Sequence, residues 1–558
     1  MSRYLRDITL GAYKMIRKGT ISALLLCFGA AAWAQQVQSL PGTQPLTWEG
    51  DLSQRMMDGA HRFVERKIAE SIRTRSKYWT RDFSSGPAYE KSVEPNRERF
   101  RKIIGVVDSR APVVMERCGD EDNPALVAET GTYRVYQVRW PVLEGVSGEG
   151  LLLEPKRAPL AYVVALPDAD QTPEQIVGLV ATGGEDQFAR RLAENGFEVV
   201  VPVLIDRGSH WSGDPQIRIT DQTHREWIYR QAFHMGRHVI GYEVQKVLAA
   251  VDWFQRRSGG KGRIGVAGYG EGGLIAFYSA AVDARINAAL VSGYFDSRQA
   301  VWSEPIYRNV WGLLREFGDA ELATLIAPRG LIVEYSPVPA VTNQKGDLKT
   351  PKFEAVRAEF DRIDALTQPG FQPKQLISGN GGAPVGPGSP EAMEAFARLL
   401  GVNARLPLSG ELPVDRRRSF DPAERQKRQV KALEDHVQRL FRASEHVRER
   451  FFLYKIAPEL ADETWMKELR HRTYPPDKFI GGWKWYRQYL WEEVLGTQRP
   501  DSPDLRYREV GGIRSGAGRL ARSVCLGDPA GAQGVEARRA APRGGLPTRT
   551  WRPAARNR

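Results

Sequence analysis

The chain has 558 residues and a mass of 62.6 kDa, with 42% hydrophobic and 26% charged residues. This is globular composition with room for more than one domain, and three cysteines exclude both a disulfide framework and a cysteine-rich zinc module. The net charge of +13 at first suggests a polyanionic partner, but it is unevenly placed. Residues 1–35 hold five basic and one acidic residue, and residues 499–558 hold 13 Arg against five acidic residues. The body between them is almost neutral, so no nucleic-acid partner is expected.

In chain order, Arg17 and Lys18 precede an apolar run from Ile21 to Ala32, and Ala32-Trp33-Ala34 is a small-x-small cleavage pattern. This predicts a Sec-type signal peptide over residues 1–34, with Met15 as an alternative start, and a periplasmic or extracellular protein. The apolar run is too short for a bilayer-crossing helix, so no integral membrane span is expected. Residues 35–125 read as an N-terminal helical segment. Leu52, Met56, Phe63, Ile68 and Ile72 fall near one helical face, and residues 96–104 read as a second, short helix.

From Thr132 the pattern changes. TYRVYQVRW and EGLLLEPK read as antiparallel strands, and residues 160–166 and 197–204 as buried ones, with a helix near 185–194 between them. Residues 236–254 form an amphipathic helix with Ile240, Val244, Val247, Leu248, Val251 and Phe254 on one stripe. Strands follow at 263–268, 286–291, 330–335 and 374–378, with a helix at 272–281. Unbroken apolar strands alternating with helices predict an α/β domain over residues 126–410, a mostly parallel sheet covered by helices on both faces. Residues 411–498 form a second helical segment, with Val430, Leu433, Val437, Leu440, Val447 and Phe451 at helical spacing. Its aromatic run, FIGGWKWYRQYLWEEVLG, is expected to pack against a neighbour.

The informative motif is Gly268-Tyr269-Gly270-Glu271-Gly272-Gly273, between a strand and a helix. A nucleophile elbow has small residues two before and two after the nucleophile, because the turn is too tight for side chains there. Centring the pattern on 270 puts Gly268 and Gly272 at the small sites, whereas centring it on Glu271 would put Tyr269 at one. Gly270 therefore stands where the nucleophile would be. A phosphate-binding turn is the alternative, but the Walker lysine is missing and the turn follows a mid-sheet strand, and no cofactor is expected.

This elbow, with GRHVIGYEVQKVLAAVDWF before it and AELATLIAPRGLIVE after it, resembles the dienelactone-hydrolase and acetyl-xylan-esterase-like branch of the α/β hydrolases. The resemblance implies that fold, flanked by helical segments, and hydrolysis of a small-molecule or carbohydrate ester. In that branch a Ser or Cys fills the elbow, an acid follows a late strand and a His follows the last strand. Here the acid's region offers Glu334, still inside its strand, and Asp347 well beyond it, and no His lies between residues 239 and 435. The branch's HG-type oxyanion loop is replaced by Pro167-Asp168-Ala169-Asp170. The expectation is a degenerate elbow with no convincing catalytic residue: a pseudoenzyme.

Asp168, Asp206, Arg207, His210, Arg237, His238 and Glu334 are the candidate pocket residues, although Arg237 and His238 would also serve as ordinary core hydrogen-bonding groups. No metal is expected, since His234 and His238 are spaced i,i+4 with no acid or Cys to complete a site. The sequence sets no oligomeric state.

Residues 499–558 hold no Lys, nine Gly and six Pro, and show no sustained periodicity. They read either as a disordered Arg-rich tail or as GC-rich coding text out of frame. Codons can be chosen so that the neighbouring frame stays open and spells a strand, a turn, a strand and an H-G loop, including GILLVPK, which echoes residues 150–156. RQYLWEEVLG before the break likewise echoes RERFRKIIG at 97–105. The expectation is a tandem of hydrolase-like domains, in which this one binds a ligand or acts as a scaffold and the second is cut short by a frameshift.

Overall fold

A computed structural model describes residues 47–112, 114–180, 187–213, 222–341, 346–456, 476–495, 508–510 and 513–515. The signal-peptide segment and most of the 499–558 tail lie outside the described residues. Two compact units are present, one of residues 1–66 with 498–558 and one of residues 67–497. The first includes most of helix α1 (Leu52–Thr74) and a small antiparallel pair, β11 (Arg508–Val510) with β12 (Ile513–Ser515). The face predicted for α1 stays wet at both ends, with Met56 and Ile72 exposed.

The larger unit is built on a ten-stranded sheet. Its antiparallel part consists of β1 (Glu116–Arg117), β2 (Leu126–Glu129), β3 (Tyr133–Leu143) and β4 (Val146–Pro155), with β2 beside β3. The rest is parallel: β5 (Tyr162–Leu166), β6 (Glu198–Pro202), β7 (Ile264–Tyr269), β8 (Ala288–Ser292), β9 (Gly330–Glu334) and β10 (Lys374–Ile377). The order across the sheet is β1-β3-β4-β6-β5-β7-β8-β9-β10. Between β5 and β7 that order reverses its direction, the switch point where an open α/β sheet leaves a crevice at its carboxyl ends. Leu166 pairs with Gly268 there, so the loop after β5 and the turn after β7 emerge side by side.

Both faces are covered, as the unbroken apolar strands require. On one face lie α2 (Gly86–Ile103), α5 (Val239–Arg257) and α6 (Glu271–Val282), with Phe100, Leu248 and Phe277 in one core. On the other lie α3 (Phe188–Glu194) and α8 (Pro390–Leu399), with Phe188, Leu192 and Phe396 in a second core. Between these pairs in sequence come α4 (His224–His234) and α7 (Asp319–Ile326), and after them α9 (Pro422–Ile456) and α10 (Pro476–Tyr489).

Several boundaries differ from the sequence expectation, each for a local reason. The short helix expected at 96–104 is the end of the longer α2, which starts beyond Ser85; the Ser85 hydroxyl accepts the Ala88 N–H, and Pro87 lies in the first turn. The helix expected from 236 begins at Val239, because Gly236 has φ +65° and the His238 ring accepts the Ile240 N–H as its cap. Val430, Leu433 and Val437 of α9 are fully buried in the main core, whereas Val447 and Phe451 farther along the expected stripe are exposed. The aromatic run does find its neighbour: Phe451 packs on Trp485 and Tyr489, and Phe452 on Tyr486. No helix among the described residues is long and apolar enough to cross a membrane.

Candidate functional site at the glycine elbow

The turn between β7 and α6 is as tight as the sequence requires. A Cβ at Gly268 would lie 2.1 Å from the Gly272 carbonyl oxygen, and one at Gly272 would lie 2.3 Å from the Leu166 and Pro167 carbonyl oxygens. Both obstructions are backbone, so only glycine fits at either site. Gly270 sits between them with φ +58° and ψ −118°, a strained conformation that presents its Cα at the head of α6.

Residue 270 has no side chain, and there is no room for one. A Cβ there would lie 2.3 Å from Asp168 Oδ2 and 2.9 Å from Pro339 Cγ. Asp168 comes from the loop after β5, and its Oδ2 accepts the Glu271 N–H at 2.9 Å. In an elbow, that N–H, on the residue after the nucleophile, is one of the two donors that stabilise an oxyanion. Here a side-chain carboxylate takes it.

Charge pairing holds Asp168 in place. Arg207 donates to its two oxygens at 2.6 and 3.1 Å, to Asp170 at 2.9 Å and to the Tyr307 hydroxyl at 2.9 Å. Burial opposes the Arg207 charge, but Asp168, with Glu271 and Tyr307 in support, outweighs burial and drives the guanidinium pKa upward. Glu271, fully buried, meets Arg308 at 2.6 Å and Arg207 and Arg225 at 3.4 Å each. Burial alone would raise its carboxyl; Arg308, Arg225 and Arg207 overcome that and hold it at about 2. Arg225 also forms a two-pronged pair with Glu243 at 2.8 and 2.9 Å, and Arg308 reaches Glu304 at 3.1 Å. The carboxyl edge at the switch point is thus packed with a buried, alternating ion-pair network.

Residues 149–300 match the model of the dienelactone hydrolase family. Over that stretch the chain resembles a dienelactone hydrolase family domain. A Bacillus subtilis (strain 168) protein assigned as a hydrolase, YtaP, is 23% identical over 251 residues, 42% of this chain and 77% of that one. Among solved structures, a protein of Bacteroides fragilis NCTC 9343 assigned as an acetyl xylan esterase is 13% identical, with a TM-score of 0.40 over 60% of this chain and 88% of that one. The acetyl xylan esterase of Paenibacillus sp. R4 is 16% identical, with a TM-score of 0.35 over 58% and 95%.

The structure joins some of the expected pocket residues and separates others. Asp168, Arg207 and Glu271 meet in the network. Asp206 turns away to His224, whose Nδ1 lies 2.5 Å from Asp206 Oδ1 and whose Nε2 accepts the Trp211 N–H at 2.8 Å. This His–Asp pair has the form of a catalytic dyad, but both ring nitrogens are occupied within the chain. His210 is exposed, its ring against Trp211.

Arg237 pairs with Asp108 at 2.5 and 3.1 Å, and His238 caps α5 while reaching the Asn309 carbonyl at 3.2 Å. Burial lowers the His238 pKa to about 4, keeping it neutral. Arg237 and His238 thus make the ordinary structural bonds that the sequence also allowed. Glu334 is a structural carboxylate too: it accepts the Gly388 and Ser389 N–H groups and the Ser292 hydroxyl. Among the described residues no group of three or more His, Cys, Asp or Glu could hold a metal.

The residues missing from the sequence-based set are Arg225, Glu243, Tyr307 and Arg308. Glu243 alone gave a signal, a carboxylate at the margin of the apolar α5 stripe.

Proposed function

We propose that this dienelactone-hydrolase domain belongs to an exported protein and is non-catalytic, an esterase-type fold retained as a scaffold or ligand-binding domain. The supporting observation is the Asp168 carboxylate seated on the Glu271 N–H, above a glycine at the nucleophile position. Acyl transfer needs a nucleophile and donors left vacant for a developing negative charge. At this elbow the donor is already paired with a negative charge, and Arg207 keeps that charge in place. Glu271 is no substitute nucleophile, because three guanidinium groups surround its carboxylate and no part of it reaches solvent. With no His between residues 239 and 435, the loop after β10 supplies no general base to complete the set.

The purified chain should show no turnover of short-chain p-nitrophenyl esters above the uncatalysed rate. Neither Gly270→Ser nor Gly270→Ser combined with Asp168→Gly should create any. Wild-type turnover that a serine-directed inhibitor abolishes would sink the proposal. Export is tested separately: the mature N-terminus should be Gln35, and a secreted or periplasmic form that retains residues 15–34 would contradict cleavage there.

A further inference from the structure

Helix α2 and the stretch through α10 end with related sequences. Aligning Gly105 with Gly496 sets Phe100 against Trp491, Ile103 against Val494 and Ile104 against Leu495. In α2 this ending is the seat of the hydrolase-type domain that follows it. Phe100 is fully buried with its ring 4.9 Å from Tyr278 and 5.3 Å from Phe317, and Ile104 is fully buried as well. Arg97 of the same helix donates to the Ala281 and Leu325 carbonyls, tying it to the ends of α6 and α7.

The second copy of the pattern has no such seat. Phe451, Phe452, Trp485, Tyr486 and Tyr489 hold α10 against α9. Beyond them Leu490, Val494 and Leu495 are 50%, 54% and 55% exposed. Spaced at i, i+4 and i+5 on a π-helical turn, they form one apolar edge.

We propose that Leu490, Val494 and Leu495 are the docking edge for a second α/β-hydrolase-type domain, encoded downstream in the same polypeptide, with Val494 and Leu495 in the places of Ile103 and Ile104 and Leu490, opposite Arg99, widening the edge. The proposal rests on the tandem reading of residues 499–558, and commits to that occupant because this chain already shows what such an ending packs against. The docked domain would present an aromatic floor equivalent to Tyr278 and Phe317.

The test has two stages. First, the intact mass and peptides of the protein from its natural source are measured. The expected result is a chain well above 62.6 kDa with new peptides after residue 499. A mass matching the 558-residue chain, with or without its signal peptide, overturns both the tandem reading and the docking edge.

Second, in the longer chain, amide hydrogen exchange over residues 476–495 is compared with that of Leu490→Asp/Val494→Asp. Exchange there should speed up about tenfold or more in the variant while residues 86–103 keep their protection. Equal exchange in the two proteins would overturn the docking edge and leave the tandem reading standing. Because the substituted residues are exposed in the present fold, the 558-residue variant should remain folded and provides the control.

Discussion

At the scale of single residues, the site is governed by compensation of buried charge. Glu271 shows it most directly. Removing one partner of a buried ionic cluster leaves the others unpaired in a poorly solvating interior, at a cost of about 3–5 kcal/mol. Glu271→Gln should therefore lose about that much stability in urea unfolding, with Arg308 the group most exposed to the loss. A loss below about 1 kcal/mol would mean that the guanidinium groups find other partners.

Gly270→Ser should also destabilise, by about 1–3 kcal/mol, through its positive φ and the contact with Asp168. Acid acts in two windows. His238 is neutral in the fold down to about pH 4 but titrates near 6.5 when unfolded, so its contribution is complete above 6.5 and is lost as pH falls towards 4. Glu271 contributes above its ordinary value of 4.5 and loses that contribution as pH falls towards 2. His238→Gln should reduce the slope of a stability-versus-pH curve in the upper window, where buried His436 contributes as well, and leave the lower one in place. A variant curve parallel to wild type between pH 6.5 and 4 would refute the assignment.

Elements show why part of this was legible in the sequence. Gly268 and Gly272 could be read directly, because a spacing of small residues encodes a steric requirement at the turn itself. Either residue changed to Ala should lose more than about 2 kcal/mol or fail to fold, since the obstructing atoms are backbone carbonyls. The strands were legible for a similar reason: burial on both faces writes an unbroken apolar run.

Arg225 and Arg308 were not legible. They arrive at Glu271 from α4 and from a single 3-10 turn, Ile306–Arg308, whose local sequences look merely polar, and only the fold brings them together. Helix starts were missed where one or two residues decide them, as Ser85 does for α2 and Gly236 with His238 for α5. Helix α9 makes the same point about context. Its apolar positions look equivalent, yet Leu433→Ala should cost about 2–5 kcal/mol and Val447→Ala within about 0.5 kcal/mol, because only the first half reaches the core. Similar losses for both, measured by denaturant unfolding, would argue against the observed packing.

For the larger unit as a whole, the main core unites pieces remote in sequence: Phe100 of α2, Leu248 of α5, Phe277 of α6 and Val437 of α9. The flanking helical segments thus share a core with the sheet. Residues 67–437 should consequently unfold in one transition, with α2 and the first half of α9 as protected from hydrogen exchange as the central strands. Separate early loss of α9 protection would show that its first half is an appendage.

The Asp168 carboxylate has a consequence for competition. A small anion drawn to the Glu271 N–H would meet a rival that never diffuses away. Even a short flexible tether gives an effective concentration on the order of millimolar, and Arg207 restrains this one further. Free carboxylates and transition-state mimics at ordinary assay concentrations would be outcompeted by the chain itself, so this turn is already liganded from within.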